Sequence, residues 1–411
     1  MNAEIIGVGT ELLLGQIANT NARDISQVLA EIGVNVYFHT VVGDNLDRMT
    51  ETLRTALERS DCVIVTGGLG PTPDDVTREG VGAATGRRLI RDPSLVERIR
   101  AIFENLRREM PEENLRQADV PEGAVVIEPE GTAPGFYLQE RDSVLFALPG
   151  VPWEMKAMLN KVVVPYLRDK RTGGAIVSRQ VLVIGLGESH TYKKISDLVD
   201  SQDNPTIAFL AGGGQVRIRL TARAEDHDSA VALIEPIERK VRERLGKAAV
   251  HGNHESIAQA LTDLLRSTKQ KMAAAESLTG GLVGAAMTKA AGASDVFVGS
   301  LVCYDDRAKQ NVARVPQEVL EGPGPVSDAA AAALAEGAAE VLAVDLGVST
   351  TGVAGPDPHD DEPVGTIFVG AHHSGRTEVR KIRGYGDRDN IQAIAVTAAL
   401  DLGRRLIESN D

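Results

Sequence analysis

Cysteine is nearly absent from this 411-residue chain: only Cys62 and Cys303 occur, each inside an apolar stretch. That excludes a disulfide framework and points to a reducing compartment. Aromatic residues are scarce as well, with 1 Trp, 6 Tyr and 7 Phe, so any core must be assembled from Ala, Val, Leu and Ile. No apolar run approaches the roughly 20 residues of a membrane span. The start, from Met1 through Glu4 into Ile5-Ile6, lacks the basic-then-apolar order of a signal peptide. Together these absences predict a cytoplasmic protein. Positive charge is in the minority, with 44 Lys and Arg against 58 Asp and Glu and a net charge of −14. Nucleic acid is therefore not an expected partner, although a local basic pocket for a small anion is compatible with the balance.

What is present is α/β patterning over a length that predicts about two to four domains. The first half alternates apolar runs and helical periods: strands at Ile5–Gly9, Val34–Val42 and Cys62–Thr66, with helices at Asn21–Ile32, Asn45–Leu57 and Asp74–Thr85. Later strands are expected at 124–127, 135–138 and 143–148, followed by a helix from Pro152. This order predicts a three-layer α/β/α domain over 1–170 on a mostly parallel sheet. A polar, glycine-bearing break at Arg168–Gly174 leads into a small α+β module over 175–246. A second break at Lys247–His254 opens another three-layer α/β/α domain over 252–411, ending in a helix from Asn390 to Ile407.

Two loops carry the chemistry. In the first half, Gly67-Gly68-Leu69-Gly70-Pro71-Thr72-Pro73-Asp74-Asp75 follows a buried strand and opens a helix. Glycines let the backbone approach a phosphate, and a helix N-terminus attracts its charge. The loop has neither a Walker ending nor dinucleotide-fingerprint spacing. Other predicted strand ends carry Gly9-Thr10-Glu11, Gly43-Asp44-Asn45 and Leu148-Pro149-Gly150-Val151. Glu11, Asp44 and Asp75 at such ends suit a hard divalent cation of the Mg, Mn or Co class carrying phosphates. Asp74 and Asp75 are equally explained as partners of the helix dipole.

In the second half, Ala275-Glu276-Ser277-Leu278-Thr279-Gly280-Gly281 places a serine between a short strand and a helical segment. A serine there meets helix N–H groups able to steady an oxyanion. It needs a base, and no histidine in this half has a persuasive setting: His372 and His373 should point to opposite faces of a strand. Lys309 is the best-placed substitute, with Tyr304 able to relay a proton. The alternative places Lys309 on a solvated helix face with Asp305, Asp306 and Arg307.

These motifs resemble the CinA family. The Gly9–Gly15 segment, the Gly67–Thr77 loop, Gly131-Thr132-Ala133-Pro134-Gly135 and Leu148–Met155 are similar to its molybdopterin-binding-like domain, itself related to MogA and MoaB. That resemblance implies metal-dependent hydrolysis of ADP-ribose, with phosphate at Gly67, Gly68, Gly70, Thr72, Pro149 and Gly150, and metal near Asp44, Asp75 and Glu11. Tyr304-x-x-x-x-Lys309, Thr351-Gly352-x-Ala-Gly-Pro and Gly-Asp-Arg388 join the Ser277 motif in resembling the CinA C-terminal domain, whose stand-alone versions are the PncC nicotinamide-nucleotide amidases. This implies deamidation of nicotinamide mononucleotide without a cofactor. Ser277 would be the nucleophile, with Lys309 and Tyr304 handling protons. Thr351 and the amides near Gly280 would serve the oxyanion, Thr279, Gly280, Gly281 and Gly352 would contact substrate, and Arg388 would hold its phosphate.

The middle segment resembles the KH-like connector of the same family, on Gly185–Ser189 and Asn204–Ala208. It lacks a clear Gly-x-x-Gly loop, so linkage or dimer contact fits better than RNA binding. Family resemblance also implies a homodimer and a link to competence and RecA. A non-enzymatic scaffold and a pterin-binding protein of molybdenum-cofactor synthesis both stay open. Two departures from the family pattern stand out: Leu278 occupies a position that is often cysteine, and Asp357-Pro358-His359-Asp360-Asp361-Glu362 replaces a glycine-rich stretch. An acidic loop there would repel a nucleotide phosphate.

Overall fold

A computed structural model describes residues 1–170, 175–359 and 362–409. They fall into two compact units, Met1–Val177 with Ala224–His227, and Ser178–Arg223 with Asp228–Asp411. The segment expected to form a separate middle module thus belongs mostly to the second unit.

The first unit is built on strands β1 (Asn2–Val8), β2 (Asn35–Val42), β3 (Cys62–Thr66), β4 (Val125–Ile127), β5 (Gly135–Glu140) and β6 (Ser143–Leu148). Their order in the sheet is β2-β1-β3-β6-β5-β4. The pairs β1/β2, β1/β3 and β3/β6 are parallel, whereas β5 and β4 return antiparallel. β3 is buried along its whole length, which explains its unbroken apolar run: both faces are covered by helices. Ile5, Ile64 and Phe146 point into one core, and Ile6, Val63 and Leu145 into the other. Four parallel strands end at one edge, and the order reverses direction at β1 and β3. An open α/β sheet forms its ligand crevice at such a point.

One expectation needs correction here. The helix after the glycine loop begins at Thr77, with Val76 as its cap, so Asp74 and Asp75 lie in the loop before it. Pro71 and Pro73 delay helix entry by removing backbone donors and fixing φ.

The second unit contains β7 (Ala175–Ile184), β8 (Thr206–Gly212) and β9 (Gln215–Ala224), ordered β8-β9-β7, with helices Glu188–Asp200 and His227–Leu245. Its larger sheet comprises β10 (Met272–Glu276), β11 (Phe297–Val302), β12 (Leu346–Gly352), β13 (Thr366–His373) and β14 (Arg376–Arg383), ordered β11-β10-β12-β13-β14. β10 runs parallel to both neighbours, β11 and β12, while β13 and β14 are antiparallel. The chain leaves β10 toward one side and later returns on the other. A second switch point therefore sits at the end of β10, directly before Ser277. The long final helix, Arg388–Glu408, crosses this sheet with Ile391, Ala395, Leu402 and Leu406 buried in its core. Among the described residues, no helix is long and apolar enough to cross a membrane.

Candidate active sites

At the first switch point, Thr10 donates from its N–H and hydroxyl to Asp44 Oδ2, at 2.9 and 2.7 Å, tying the end of β1 to the end of β2. Gly67 and Gly68 adopt positive φ of 108° and 65°. A side chain at Gly67 would collide with the Val8 carbonyl, and a side-chain carbon at Gly150 would stand 3.3 Å from the Gly67 Cα. Glycine is required here because three strand ends converge. Asn21 Nδ2 bridges Thr66 Oγ1 at 3.0 Å and the Gly150 carbonyl at 2.8 Å, while Thr66 donates to the Pro149 carbonyl at 2.9 Å. The buried Arg78 side chain takes the Leu69 and Gly70 carbonyls at 2.7 and 2.6 Å. Peptide planarity then turns the Gly70 N–H the opposite way, outward from Arg78. Asp75 closes the loop on itself, accepting from the Thr72 N–H at 2.9 Å and the Thr72 hydroxyl at 2.5 Å.

The sheet edge thus gathers Gly67, Gly68, Pro149, Gly150 and Asp44, with Gly70, Thr72 and Asp75 in the loop beyond. Three carboxylates do not converge: among the described residues, no group of three or more His, Cys, Asp or Glu side chains is placed to hold a metal ion. Glu11, Asp44 and Asp75, expected near a cation, are thus not gathered into one three-carboxylate group among the described residues. What remains still suits a small hard cation, which takes one or two carboxylates and completes its shell with phosphate oxygens and water. Asp44 and Asp75 each use one oxygen, Oδ2, for their threonine bonds.

Three residues here escaped sequence reasoning. Asn21 and Arg78 look like ordinary helix residues in one dimension. Glu154 sits in the first turn of the helix after β6, nearly enclosed and close against Gly131, and burial pushes its carboxyl above the ordinary range.

In the second unit the residues flanking Ser277 define its setting. Ala273 and Ala275 pack with Cys303, Ala313 and Leu334 on one face of the sheet, whereas Ala274 and Leu278 pack on the other. Alternation leaves Ser277 on the Ala275 side. Its N–H bonds the Thr350 carbonyl at 2.9 Å, and Cys303 N–H bonds the Glu276 carbonyl at 2.7 Å, so the serine lies between the ends of β12 and β11. Lys309 is on the short helix Asp306–Asn311, whose Ala308 packs against that same alanine face. Its side chain is only 5% exposed and donates to Asp306 Oδ1 at 2.7 Å. The solvated-face alternative for Lys309 is thereby corrected, because helix packing drives the aliphatic stem inward. Lys309 makes no direct hydrogen bond to Ser277, but both occupy one side of the sheet. Tyr304, by contrast, is 66% exposed.

Burial raises the Cys303 thiol above its ordinary value, despite the Ala313 amide and the Lys309 charge that act to lower it. Cys62 is pushed up to about 12 by burial and the Asp61 charge. Both thiols stay protonated at neutral pH, so neither competes as a nucleophile. Labelling of native protein with a thiol reagent at pH 7.5 is expected to be at least about 100-fold slower than for unfolded protein, and Cys303→Ala should retain hydrolytic activity. Rapid labelling of either cysteine in the native state would contradict this.

The largest departure from the sequence reading is Glu276. Its carboxylate is fully buried and accepts five hydrogen bonds: from Thr279 Oγ1, Gly281 N and Val283 N at Oε2, and from Gly284 N and Ser300 Oγ at Oε1, over 2.5–2.9 Å. The N-terminus of the helix Leu282–Thr288 is therefore occupied by the protein's own anion. Gly280 N–H also bonds back to the Ser277 carbonyl at 3.3 Å, so the amides assigned to an oxyanion at Gly280 and Gly281 are already engaged. The Thr351 hydroxyl is likewise engaged, donating to the Pro325 carbonyl at 2.7 Å. The Leu278 and Thr279 amides, directly after the serine, donate to no acceptor among the described residues. An amide following a nucleophile is a recurrent oxyanion donor. Thr279 spends its single proton on the carboxylate, so Thr350, 2.7 Å from it, must donate to Thr279.

Arg388 begins the final helix and donates to the Gly355 carbonyl, tying the residue expected to hold phosphate to the loop after β12. Gly352 ends β12 beside them. Four residues further along the helix, Gln392 Nε2 bonds the Leu278 carbonyl at 2.9 Å, a contact invisible in the sequence. His372 and His373 lie on β13 and bond Thr377 and Gln270 respectively, away from Ser277. In the acidic stretch, Lys381 pairs with Glu362 at 2.6 Å and holds its carboxyl below the ordinary range, which blunts part of the expected repulsion. Asp360 and Asp361 lie outside the described residues.

Two α/β sheets, one with a glycine-lined loop and one with a serine-bearing loop at its switch point, define the class of protein by fold. Comparison with known families gives the class a name. Residues 4–169 match the model described as "Probable molybdopterin binding domain", 178–252 the "Damage-inducible protein CinA KH domain", and 254–407 the "CinA C-terminal domain". A relative from Acetivibrio thermocellus, provisionally named a competence-damage inducible protein, is 44% identical over 409 residues and 99% of both chains. A Bacillus cereus relative with the same provisional name is 47% identical over 371 residues and 90% of both chains. The chain belongs to the CinA family. It is also similar to a solved CinA structure of unknown function from Thermoplasma acidophilum, with 39% identity, a TM-score of 0.37, and coverage of 39% of this chain and 94% of that one.

Proposed function

We propose that this protein is a bifunctional hydrolase of pyridine nucleotides. One activity would deamidate nicotinamide mononucleotide at Ser277. The other would cleave ADP-ribose to AMP and ribose 5-phosphate at the glycine-loop site. The observation that carries the first is a nearly enclosed serine at the end of the central strand β10, sharing a sheet face with the buried Lys309 and neighbouring a thiol that stays protonated.

In this reading Lys309 first gives up one proton and its ion pair with Asp306 to become a neutral amine, and it then accepts the Ser277 proton as Oγ attacks the carboxamide carbon. The tetrahedral oxyanion faces the Leu278 and Thr279 amides. The C–N bond then breaks, and the amide nitrogen leaves as ammonia with the proton from Lys309. Water hydrolyses the acyl-enzyme to the carboxylate product and restores the serine. Arg388 suits the phosphate because its planar fork matches phosphate oxygens.

At the first site a divalent cation held by Asp44 and Asp75 would supply charge neutralisation for the pyrophosphate. The glycine-loop backbone orients the phosphates, and burial raises the Glu154 carboxyl above the ordinary range, the direction that suits a proton donor to a leaving oxygen. Asp75→Ala is expected to reduce AMP formation about 10- to 100-fold at fixed metal concentration. The test is product analysis with Mg, Mn and Co salts in turn. No AMP from wild-type protein with any of the three would refute the reading of this site.

A further inference from the structure

We infer that the β8–β9 hairpin supplies part of the nucleotide site of the final domain, as an acceptor for sugar hydroxyls. This rests on the amidase reading for the identity of the ligand. A cavity of about 490 Å³ lies between the hairpin, the helix that follows the Ser277 turn, and the first turns of the final helix. That is within the usual size range of small-molecule sites. Gln215 comes from the hairpin, Leu282 from the turn, and Asp389, Gln392 and Thr397 from the final helix.

The hairpin is fixed against this helix. Thr397 Oγ1 donates to the Gly213 carbonyl at 2.6 Å. Gly214, at φ 78°, approaches so closely that a side-chain carbon there would stand 3.2 Å from the Ile394 Cα. Gln215 Oε1 is buried and has no hydrogen-bond partner among the described residues. A buried acceptor left unmade costs about 1–3 kcal/mol, so it is a place where a ligand donor gains affinity. The Asp389 carboxylate is a second acceptor on the wall, and no Lys or Arg lines the cavity. Two acceptors without a cation reject phosphate and favour a group bearing O–H donors, set on an apolar body that Leu282 and Val396 can cover.

Position makes the same point. Asp389 directly follows Arg388, the residue given the phosphate, while Gln392 holds the Leu278 carbonyl next to the nucleophile. The cavity therefore borders Asp389, next to the residue given one end of a mononucleotide, and Gln392, which holds the turn given the other end. The group between those ends is the ribose, whose hydroxyls are commonly read by a carboxylate.

The test is calorimetric titration of the full chain carrying Ser277→Ala, so that ligand is not consumed. The titrants are nicotinamide mononucleotide and its 2′,3′-dideoxy analogue. Adding Gln215→Leu or Asp389→Asn should each weaken nicotinamide mononucleotide about 10-fold, leave the dideoxy analogue unchanged, and be rescued in part by Gln215→Glu. Unchanged affinity in both variants overturns the subsite, as does an equal loss for the two ligands. Hydroxyl-dependent binding by a wild-type chain that releases no ammonia would retire the amidase reading and keep the sugar site. Ammonia release with hydroxyl-indifferent binding would do the reverse, and failure of both nucleotides to bind would overturn both.

Discussion

Ser277→Ala is expected to lower ammonia release from nicotinamide mononucleotide by about 10⁴- to 10⁶-fold, the range seen when the nucleophile of a serine hydrolase is removed. AMP formation from ADP-ribose should be unaffected, because that chemistry is assigned to the other unit. The size follows from the site: Cys303 beside the serine is held protonated by burial, so no second nucleophile stands ready to substitute. Lys309→Met should approach the same loss, since His372 and His373 are bonded elsewhere on β13. Parallel assays of ammonia and AMP on wild type and both variants check this. Deamidation by Ser277→Ala within tenfold of wild type would exclude the serine mechanism.

The second large effect is on folding. Glu276→Ala removes the acceptor of five donors at once, three buried and two half-buried, and three of the five are backbone N–H groups of one helix terminus. Each orphaned buried donor costs about 1–3 kcal/mol, partly offset by no longer burying a carboxylate, so a net loss of more than about 3 kcal/mol is expected. Glu276→Gln should not rescue it. Whichever side the amide NH₂ takes, it faces donors and leaves them without an acceptor. Urea denaturation measures the loss, and a destabilisation below about 1 kcal/mol for Glu276→Ala would show that the carboxylate is not what holds the turn.

Strand and helix order was legible in the sequence because periodicity reports burial directly. The fully apolar Cys62–Thr66 run and the switch from strand to helix around Ser277 both correspond to real elements. Errors came where one residue serves two purposes. Asp75 reads as a helix-dipole partner by position, yet its side chain caps the preceding turn on Thr72. Glu276 reads as a spacer in the serine motif, yet it fills the helix terminus assigned to an oxyanion. Gln392 and Gln215 carry no local pattern at all, since the partner of the first lies 114 positions away and the second lines a cavity built from elements distant in sequence. Polar contacts across such separations depend on tertiary placement, and periodicity carries no record of it.

The final helix fixes its own phasing at three heights, through Arg388, Gln392 and Thr397, each held by a different loop. Adding one residue between Arg388 and Gln392 would swing everything upstream by about 100° around the axis. The guanidinium would then face away from the Gly355 loop while Gln392 kept its grip on Leu278. Length changes in this part of the chain are therefore confined to the turn ahead of Asp387, where an extra residue leaves the angular spacing intact.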